Sequence, residues 1–191
     1  MILYLVGMSC VGKTTIGSML AEKIGFTFLD IDEMIQEFYQ KPIERIQEEC
    51  LTMYEFRKRG SIVLDQILTR NIDSVVSGTP AGLKFSYLNV YKRHKQDKAL
   101  YSIHLYDSFE HVVNRLVFYD KDSNPIIEDM DEAKRRRYLH EIKSDYNYFA
   151  SSYKKADFQI NIEQVKLEDI PNLIIEELRQ RNIIPQSAVQ L

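Results

Sequence analysis

The sequence predicts one α/β domain spanning residues 1–191, in which a five-stranded parallel sheet lies between two layers of helices. Apolar runs alternate along the chain with stretches of helical periodicity, which is typical of a parallel sheet whose strands are joined by helices. The first run, ILYLV at residues 2–6, is continuously apolar, as in a strand covered on both faces. The 191 residues, 45% hydrophobic and 28% charged, suit one compact three-layer α/β/α domain.

Five segments carry the composition of strands, and the stretches between them predict helices. The predicted strands are ILYLV (2–6), FTFLDID (26–32), SVVSGTP (74–80), ALYSIHLY (99–106) and DFQINI (157–162). The first helix runs over 13–23, with Ile16 and Leu20 at helical spacing and Gly25 placed to end it. The other predicted helices cover 33–70 in two or three pieces broken near Pro42 and Gly60, then 82–97, 108–118, 133–156 and 166–182.

Two polar segments stand outside these elements. Residues 119–132, YDKDSNPIIEDMDE, are turn-prone and lie between two predicted helices, so we expect a mobile lid there. Residues 184–191 form a polar tail that is expected to fray.

Charge and composition favour a small ligand. The net charge of −3 gives no overall attraction for nucleic acid, and no apolar run approaches the ~20 residues of a membrane span. No basic region precedes the first apolar run, so a cytoplasmic location is expected. The two cysteines, Cys10 and Cys50, are expected to be free thiols in a reducing compartment, and the four scattered histidines do not have metal-site spacing. We expect a monomer that binds neither nucleic acid nor membrane.

Residues 7–14, GMSCVGKT, match the phosphate-binding pattern G-x-x-x-x-G-K-[ST] between a predicted strand and a predicted helix. In such a loop, backbone N–H groups face the phosphates of a nucleoside triphosphate and the helix N-terminus adds positive charge. Lys13 supplies a cation for the β- and γ-phosphates, and Thr14 a hydroxyl for Mg²⁺. The candidate nucleotide-binding residues are Gly7, Ser9, Cys10, Val11, Gly12, Lys13, Thr14 and Thr15.

Two aspartates follow the second predicted strand. Alternation along a strand would place Asp30 and Asp32 on the same side at its carboxyl end, where ligands of doubly wound sheets bind. One carboxylate could hold Mg²⁺ through water, and the other could accept a proton from an attacking hydroxyl. The alternative is that both are solvated residues capping the next helix.

A P-loop within the first 15 residues, D-x-D after strand two and EFR at residues 55–57 together resemble the shikimate kinase family of nucleoside-monophosphate-kinase-like P-loop kinases. The resemblance extends to about Arg181. It implies the P-loop kinase fold, ATP and Mg²⁺ as cofactors, and a role in aromatic amino acid biosynthesis. It also implies Lys13 and Asp32 as catalytic residues, Thr14 and Asp30 at the metal, and Asp32, Arg57 and Gly78 at the acceptor, with Arg57 on its carboxylate.

The departures from this family pattern fall on the acceptor side. Gly78-Thr79-Pro80 stands where the family has three glycines, so one N–H donor is missing. A glutamate and two arginines of the family are replaced by Gly60, Asn124 and Ser144, respectively. Lysines could compensate for the arginines, although lysine lacks the two-pronged geometry of a guanidinium. The candidates are Lys121, Lys143 and the basic cluster 134–137.

These patterns predict a kinase that transfers the γ-phosphate of ATP to a hydroxyl of a small molecule. Two alternatives stay open at this point. The acceptor could be another sugar-like or polyol molecule, or the chain could be a nucleotide-binding regulatory module that has lost catalysis, as Gly60 and Asn124 would suggest.

Overall fold

The computed structural model of the protein describes residues 1–117, 120–122, 124 and 132–186, without the side chains of residues 134, 135 and 138. Thirteen helices and strands lie within these residues. They are β1 Ile2–Val6, α1 Lys13–Ile24, β2 Thr27–Asp30, α2 Ile31–Tyr39, α3 Ile43–Glu48, α4 Met53–Thr69, β3 Ser74–Ser77, α5 Phe85–Lys95, β4 Leu100–Tyr106, α6 Phe109–Asn114, α7 Glu132–Tyr153, β5 Phe158–Asn161 and α8 Ile170–Gln180.

The five strands form one parallel sheet in the order β2-β3-β1-β4-β5, which confirms the predicted fold class. Strand β1 lies at the centre, with Tyr4 opposite Val76 of β3 and Ser102 of β4. All five residues of β1 are buried, as its continuous apolar run predicts. The carboxyl ends of β1, β2 and β3 therefore open on the same edge of the sheet, where the site is assembled.

Strand β2 is shorter than predicted, and the difference moves Asp32 from a strand into a helix. The backbone of Asp30 is extended, with φ −96° and ψ 125°, and its carboxylate accepts a hydrogen bond from the backbone N–H of Asp32 at 2.9 Å. This N-cap begins α2 at Ile31. The argument that Asp30 and Asp32 alternate along a strand was therefore wrong.

The predicted break near Pro42 is confirmed, whereas the break at Gly60 is wrong. Helix α3 begins directly after Pro42, whose fixed φ suits a helix start. Helix α4 continues through Gly60, where the glycine is buried against Tyr87 of α5. Here the glycine permits close helix packing, and the tertiary contact outweighs its low helix propensity.

Two further boundaries differ from the sequence prediction. Strand β3 ends at Ser77, and residues 78–84 form turns before α5. Helix α6 ends at Asn114 rather than near residue 118, which itself lies outside the described residues. Most of the predicted lid, 119–132, and residues 187–191 of the tail also lie outside them. Along the parts of the chain that the structure describes, no helix has the length and apolar character needed to cross a membrane.

Candidate active site

The loop between β1 and α1 has the backbone of a phosphate-binding loop. Gly7 and Gly12 have φ of +151° and +98°, in the region that favours glycine, and a Cβ on Gly7 would lie 2.5 Å from the carbonyl oxygen of Leu105. Cys10 also has a positive φ of 59°. The loop ends at the N-terminus of α1, so its N–H groups and the helix dipole favour an anion at this point.

Lys13 is folded under this loop. Its ammonium group donates hydrogen bonds to the carbonyl oxygens of Gly7 at 3.0 Å and Met8 at 2.8 Å. The side chain is buried, and this burial lowers the pKa of Lys13 to about 8, against the opposing effect of Asp32 and Asp30. An ammonium has three N–H donors, so one remains for a phosphate oxygen.

Thr14 and Asp30 lie side by side next to the loop. The hydroxyl of Thr14 donates a 2.7 Å hydrogen bond to Asp30 and lies 3.4 Å from the Ser77 hydroxyl. Asp30 is buried, and its second oxygen caps α2. A hydroxyl and a carboxylate beside a phosphate site fit Mg²⁺, which is usually held by one or two such groups together with phosphate oxygens and water. Over the described residues no cluster of three or more His, Cys, Asp or Glu side chains exists to hold a metal without the nucleotide.

Asp32 lies in the first turn of α2, close to both Asp30 and Lys13. Its side chain keeps contact with solvent but has protein on most sides, and this desolvation raises the pKa of Asp32 to about 6. The charge of Asp30 acts in the same direction, while Lys13 acts against it. A carboxylate with this pKa can take up a proton near neutral pH.

A cleft of about 230 Å³ opens beside the loop and is a candidate acceptor site. Of the described residues, Arg57 and Asp145 are the only charged ones in its walls. Its other walls come from the phosphate-binding loop, α3, α4, residues 79–81, α5 and α7, and include Met8, Ser9, Gln47, Met53, Phe56, Thr79, Pro80, Ala81, Tyr87 and Phe149.

The guanidinium of Arg57 is free to bind an anion in this cleft. Its central carbon lies 5.2 Å from the ring centre of Phe85 and 5.4 Å from that of Phe149. Within the described part of the chain, no carboxylate lies within 4.0 Å of it. Burial raises the pKa of Asp145, and Arg57 acts against this rise without forming an ion pair.

Gly78 does not reach the cleft, although sequence reasoning placed it at the acceptor. Its N–H donates to the carbonyl oxygen of Leu5 at 2.9 Å, and a Cβ would lie 2.6 Å from the ring of Tyr4. The N–H group of Gly78 is therefore already hydrogen-bonded within the protein, and the ring of Tyr4 fills the space where a side chain would stand. The next three residues, 79–81, line the cleft instead.

Comparison with known proteins agrees with this geometry. The family model described as shikimate kinase matches residues 9–178. The chain belongs to the shikimate kinase family. The chain is 30% identical to the shikimate kinase of Nostoc punctiforme over 175 residues, which cover 91% of this chain and 88% of that protein. It is also 30% identical to the shikimate kinase of Persephonella marina over 177 residues, covering 93% and 98%.

Solved structures show the same fold. The crystal structure of shikimate kinase from Aquifex aeolicus superimposes with a TM-score of 0.73 at 24% identity, covering 96% of this chain and 99% of that one. The Acinetobacter baumannii shikimate kinase in complex with shikimate gives 0.68 at 24%, covering 96% and 95%. Membership of the shikimate kinase family makes this chain an ATP-dependent kinase that transfers a phosphoryl group to a hydroxyl of a small molecule. The family assignment favours neither another acceptor class nor a module without catalysis.

The structure shows what occupies the space at Gly60, where the family pattern has a glutamate. A Cβ on Gly60 would lie 1.9 Å from the hydroxyl of Tyr87, so the tyrosine fills this position from α5. Burial raises the pKa of Tyr87, which the charge of Asp32 raises further and that of Arg57 lowers. Sequence reasoning marked Gly60 as a departure, but the sequence alone gave no signal for Tyr87.

The other departures in this kinase lie mostly away from the cleft. The side-chain amide of Asn124 donates to Asp120 at 3.3 Å and 3.2 Å, which ties it to its own segment. Ser144 is exposed on α7, and the next residue, Asp145, is the one that lines the cleft. Lys121 and Lys143, proposed as compensating cations, are exposed and do not line it. The side chains of residues 134 and 135 lie outside the description.

Proposed function

We propose that this kinase phosphorylates a hydroxyl group of shikimate, with ATP and Mg²⁺ as cofactors. The observation that carries the proposal is Arg57, whose guanidinium lies over two aromatic rings in the cleft beside the phosphate-binding loop and pairs with no carboxylate of the described residues. A guanidinium matches the two oxygens of a carboxylate, and shikimate carries one carboxylate and several hydroxyls. Family membership supports the same acceptor.

The chain's own residues have distinct tasks in this reaction. Backbone N–H groups of residues 7–15 and the Lys13 ammonium bind the β- and γ-phosphates. Thr14 and Asp30 are the residues that would hold Mg²⁺, which when bound offsets negative charge on the phosphates. Arg57 orients the acceptor through its carboxylate. Asp32 accepts the hydroxyl proton while the acceptor oxygen bonds to the γ-phosphorus and the bond to the ADP oxygen breaks.

Turnover of shikimate by the purified kinase tests this proposal. We expect ATP-dependent formation of a phosphorylated acid, with kcat/KM of ~10⁴ M⁻¹s⁻¹ or above. Arg57→Lys keeps the charge but loses the bidentate geometry, so KM for shikimate should rise by about tenfold or more while KM for ATP stays unchanged. Lys13→Ala is the inactive control.

A panel of neutral polyols and sugars completes the experiment. Efficient phosphorylation of a neutral polyol, with no turnover of shikimate, would contradict the proposal. Asp145 and residues 79–80 would then be the first residues to test for the change of acceptor. Hydrolysis of ATP with no acceptor in the panel phosphorylated would also contradict the proposal.

We further propose that the kinase works as a cytoplasmic monomer with a single domain and a small-molecule acceptor. The net charge of −3 and the free thiols Cys10 and Cys50 support this setting.

A further inference from the structure

A cluster of three aromatic rings lies at the rim of the acceptor cleft, and two cations share it. The rings of Phe85 and Tyr148 have centres 6.3 Å apart, and those of Tyr148 and Phe149 have centres 5.1 Å apart. The ammonium of Lys84 lies 3.2 Å from the ring centre of Tyr148. Lys84 and Arg57 both lie less than 6 Å from the ring centres of Phe85 and Phe149, so the two cations occupy one small region.

Among the described residues, neither cation has an anionic partner. The Lys84 ammonium donates one hydrogen bond, to the carbonyl oxygen of Tyr148 at 2.8 Å, and two of its three donors remain. Among the residues that the structure describes, no carboxylate lies within 4.0 Å of Lys84 or Arg57, and Asp145 pairs with neither. Aromatic rings attract each cation, but two like charges at close range are stabilised most by an anion between them.

The position of Lys84 is fixed by the loop that forms the cleft wall. Its backbone N–H donates to the carbonyl oxygen of Ala81 at 2.8 Å, and Pro80 accepts a 2.9 Å hydrogen bond from the hydroxyl of Tyr153 on α7. The loop that carries Lys84 is thus attached to the helix that carries Tyr148 and Phe149. The ammonium group is held beside the cleft on a defined support rather than on a free surface.

We propose that Lys84 is a second cation of the acceptor site, which binds the acceptor's carboxylate together with Arg57. This inference rests on the proposed function, because it concerns the acidic group of the same acceptor. Arg57 supplies two parallel donors, and Lys84 supplies a point charge with two donors that no described residue uses, near the same two rings. A structural role alone, as a strap between the loop and α7, would not depend on the charge of the acceptor.

The test compares an acid with its neutral analogue. Turnover and equilibrium binding by calorimetry are measured for shikimate and for shikimate methyl ester, which keeps the hydroxyls and lacks the negative charge. The variants are Lys84→Gln, Lys84→Arg and Lys92→Gln, the last removing an exposed lysine in the final turn of α5. The melting temperature of each variant shows whether the contact between Lys84 and α7 contributes to stability.

We expect Lys84→Gln to weaken binding of the acid by about tenfold and binding of the ester by less than twofold. Lys84→Arg should restore most of the preference for the acid, and Lys92→Gln should leave both ligands unaffected. Equal losses for acid and ester, or no loss for either, would overturn the role of Lys84. If the wild-type protein binds the acid through Lys84 but does not phosphorylate it, the proposed function fails and the role of Lys84 stands. If the wild type binds no acid, both fail.

Discussion

Asp32 and Lys13 are held away from their ordinary pKa values in opposite directions. Desolvation by surrounding protein atoms raises the pKa of the Asp32 carboxyl, which still contacts solvent, to about 6, and burial lowers the pKa of the Lys13 ammonium to about 8. Below about pH 6 Asp32 is protonated and cannot accept a proton, and above about pH 8 Lys13 loses its charge. The free enzyme therefore has both groups in their active forms only between these values.

The first prediction concerns this window. The profile of kcat/KM for ATP against pH should be bell-shaped, rising through about pH 6 and falling through about pH 8. This parameter reports the pKa values of the free enzyme. Asp32→Asn should lower kcat by ~10²–10⁴ and remove the rising limb, while the affinity for ATP stays nearly unchanged. Steady-state kinetics between pH 5 and pH 9 measure both. A rising limb that persists in Asp32→Asn would assign it to another group.

The same substitution should stabilise the protein. A carboxyl whose pKa is higher in the folded than in the unfolded chain binds its proton more tightly when folded, so stability falls as pH rises from about 4 to about 6. Asp32→Asn removes this loss, and its melting temperature should exceed that of the wild type at pH 7.5 but not below about pH 4. Calorimetry at the two pH values measures the difference. A lower melting temperature for the variant at pH 7.5 would show that the carboxylate contributes to stability.

At the residue scale, the sequence predicted which residue types form the phosphate-binding loop better than it predicted where the other side chains of the site lie. The spacing of residues 7–14 is sufficient for the phosphate-binding loop, because glycine, lysine and threonine are needed there by the backbone and the ligand together. The argument that placed Asp32 was wrong, since alternation along the sequence cannot distinguish the helix cap at Asp30 from a strand residue. Lys84 and Asp145 carry no motif, and only the fold places Asp145 in the cleft wall and Lys84 beside Phe149, which lines it.

At the scale of elements, helices α4 and α5 pack through a glycine. Pro42 and Gly60 both predicted helix breaks, but only proline removes a backbone donor and fixes φ. Glycine lowers helix propensity by ~1 kcal/mol relative to alanine, which packing easily offsets. The sequence could not show that Tyr87 approaches from another helix.

Gly60→Ala tests this packing. Helix propensity alone predicts a gain in stability of ~1 kcal/mol, whereas a Cβ 1.9 Å from the Tyr87 hydroxyl predicts a loss of ~1–3 kcal/mol by overpacking. We expect the loss, measured as the free energy of unfolding in urea. Gln66→Ala, at an exposed position of α4, is the matched control and should change stability little.

Adding Tyr87→Phe should restore part of the loss, because the hydroxyl is the atom closest to the added Cβ. If the losses in free energy of unfolding are additive in the double variant, or if Gly60→Ala is more stable than the wild type, then α4 and α5 move apart to accept the added Cβ without loss of stability.

At the scale of the whole molecule, the alternation of strands and helices predicted the parallel sheet, while the meeting of distant segments depends on strand order. Because β3 and β4 flank β1, the segments that follow them lie on either side of the phosphate-binding loop. The acceptor cleft then combines α4, residues 79–81 and α7. No local pattern encodes that combination, so the cleft could not be predicted beyond Arg57.

The predicted lid, residues 119–132, would act through contacts with distant parts of the chain. Arg45 of α3 forms an ion pair with Asp122, so this residue of the segment 119–132 contacts α3. We expect a non-hydrolysable ATP analogue to slow amide hydrogen exchange in 119–132 and in 7–15, because closure over the nucleotide excludes water. Mass spectrometry with and without the analogue measures this, with α8 as the internal control. Equal exchange in 119–132 under both conditions would contradict a lid.

The edge position of β2 makes the acceptor half of this kinase a unit for protein engineering. The chain between β2 and β3, residues 31–73, contains both Asp32 and Arg57 and leaves from an edge strand of the sheet. An edge strand has one neighbour in the sheet, so exchanging the segment leaves β1, the phosphate-binding loop and β4 in place, and the main contact to be matched is that of α4 with α5. Together with residues 79–84, this segment can be grafted between relatives, and new acceptors can be sought without redesigning the nucleotide site.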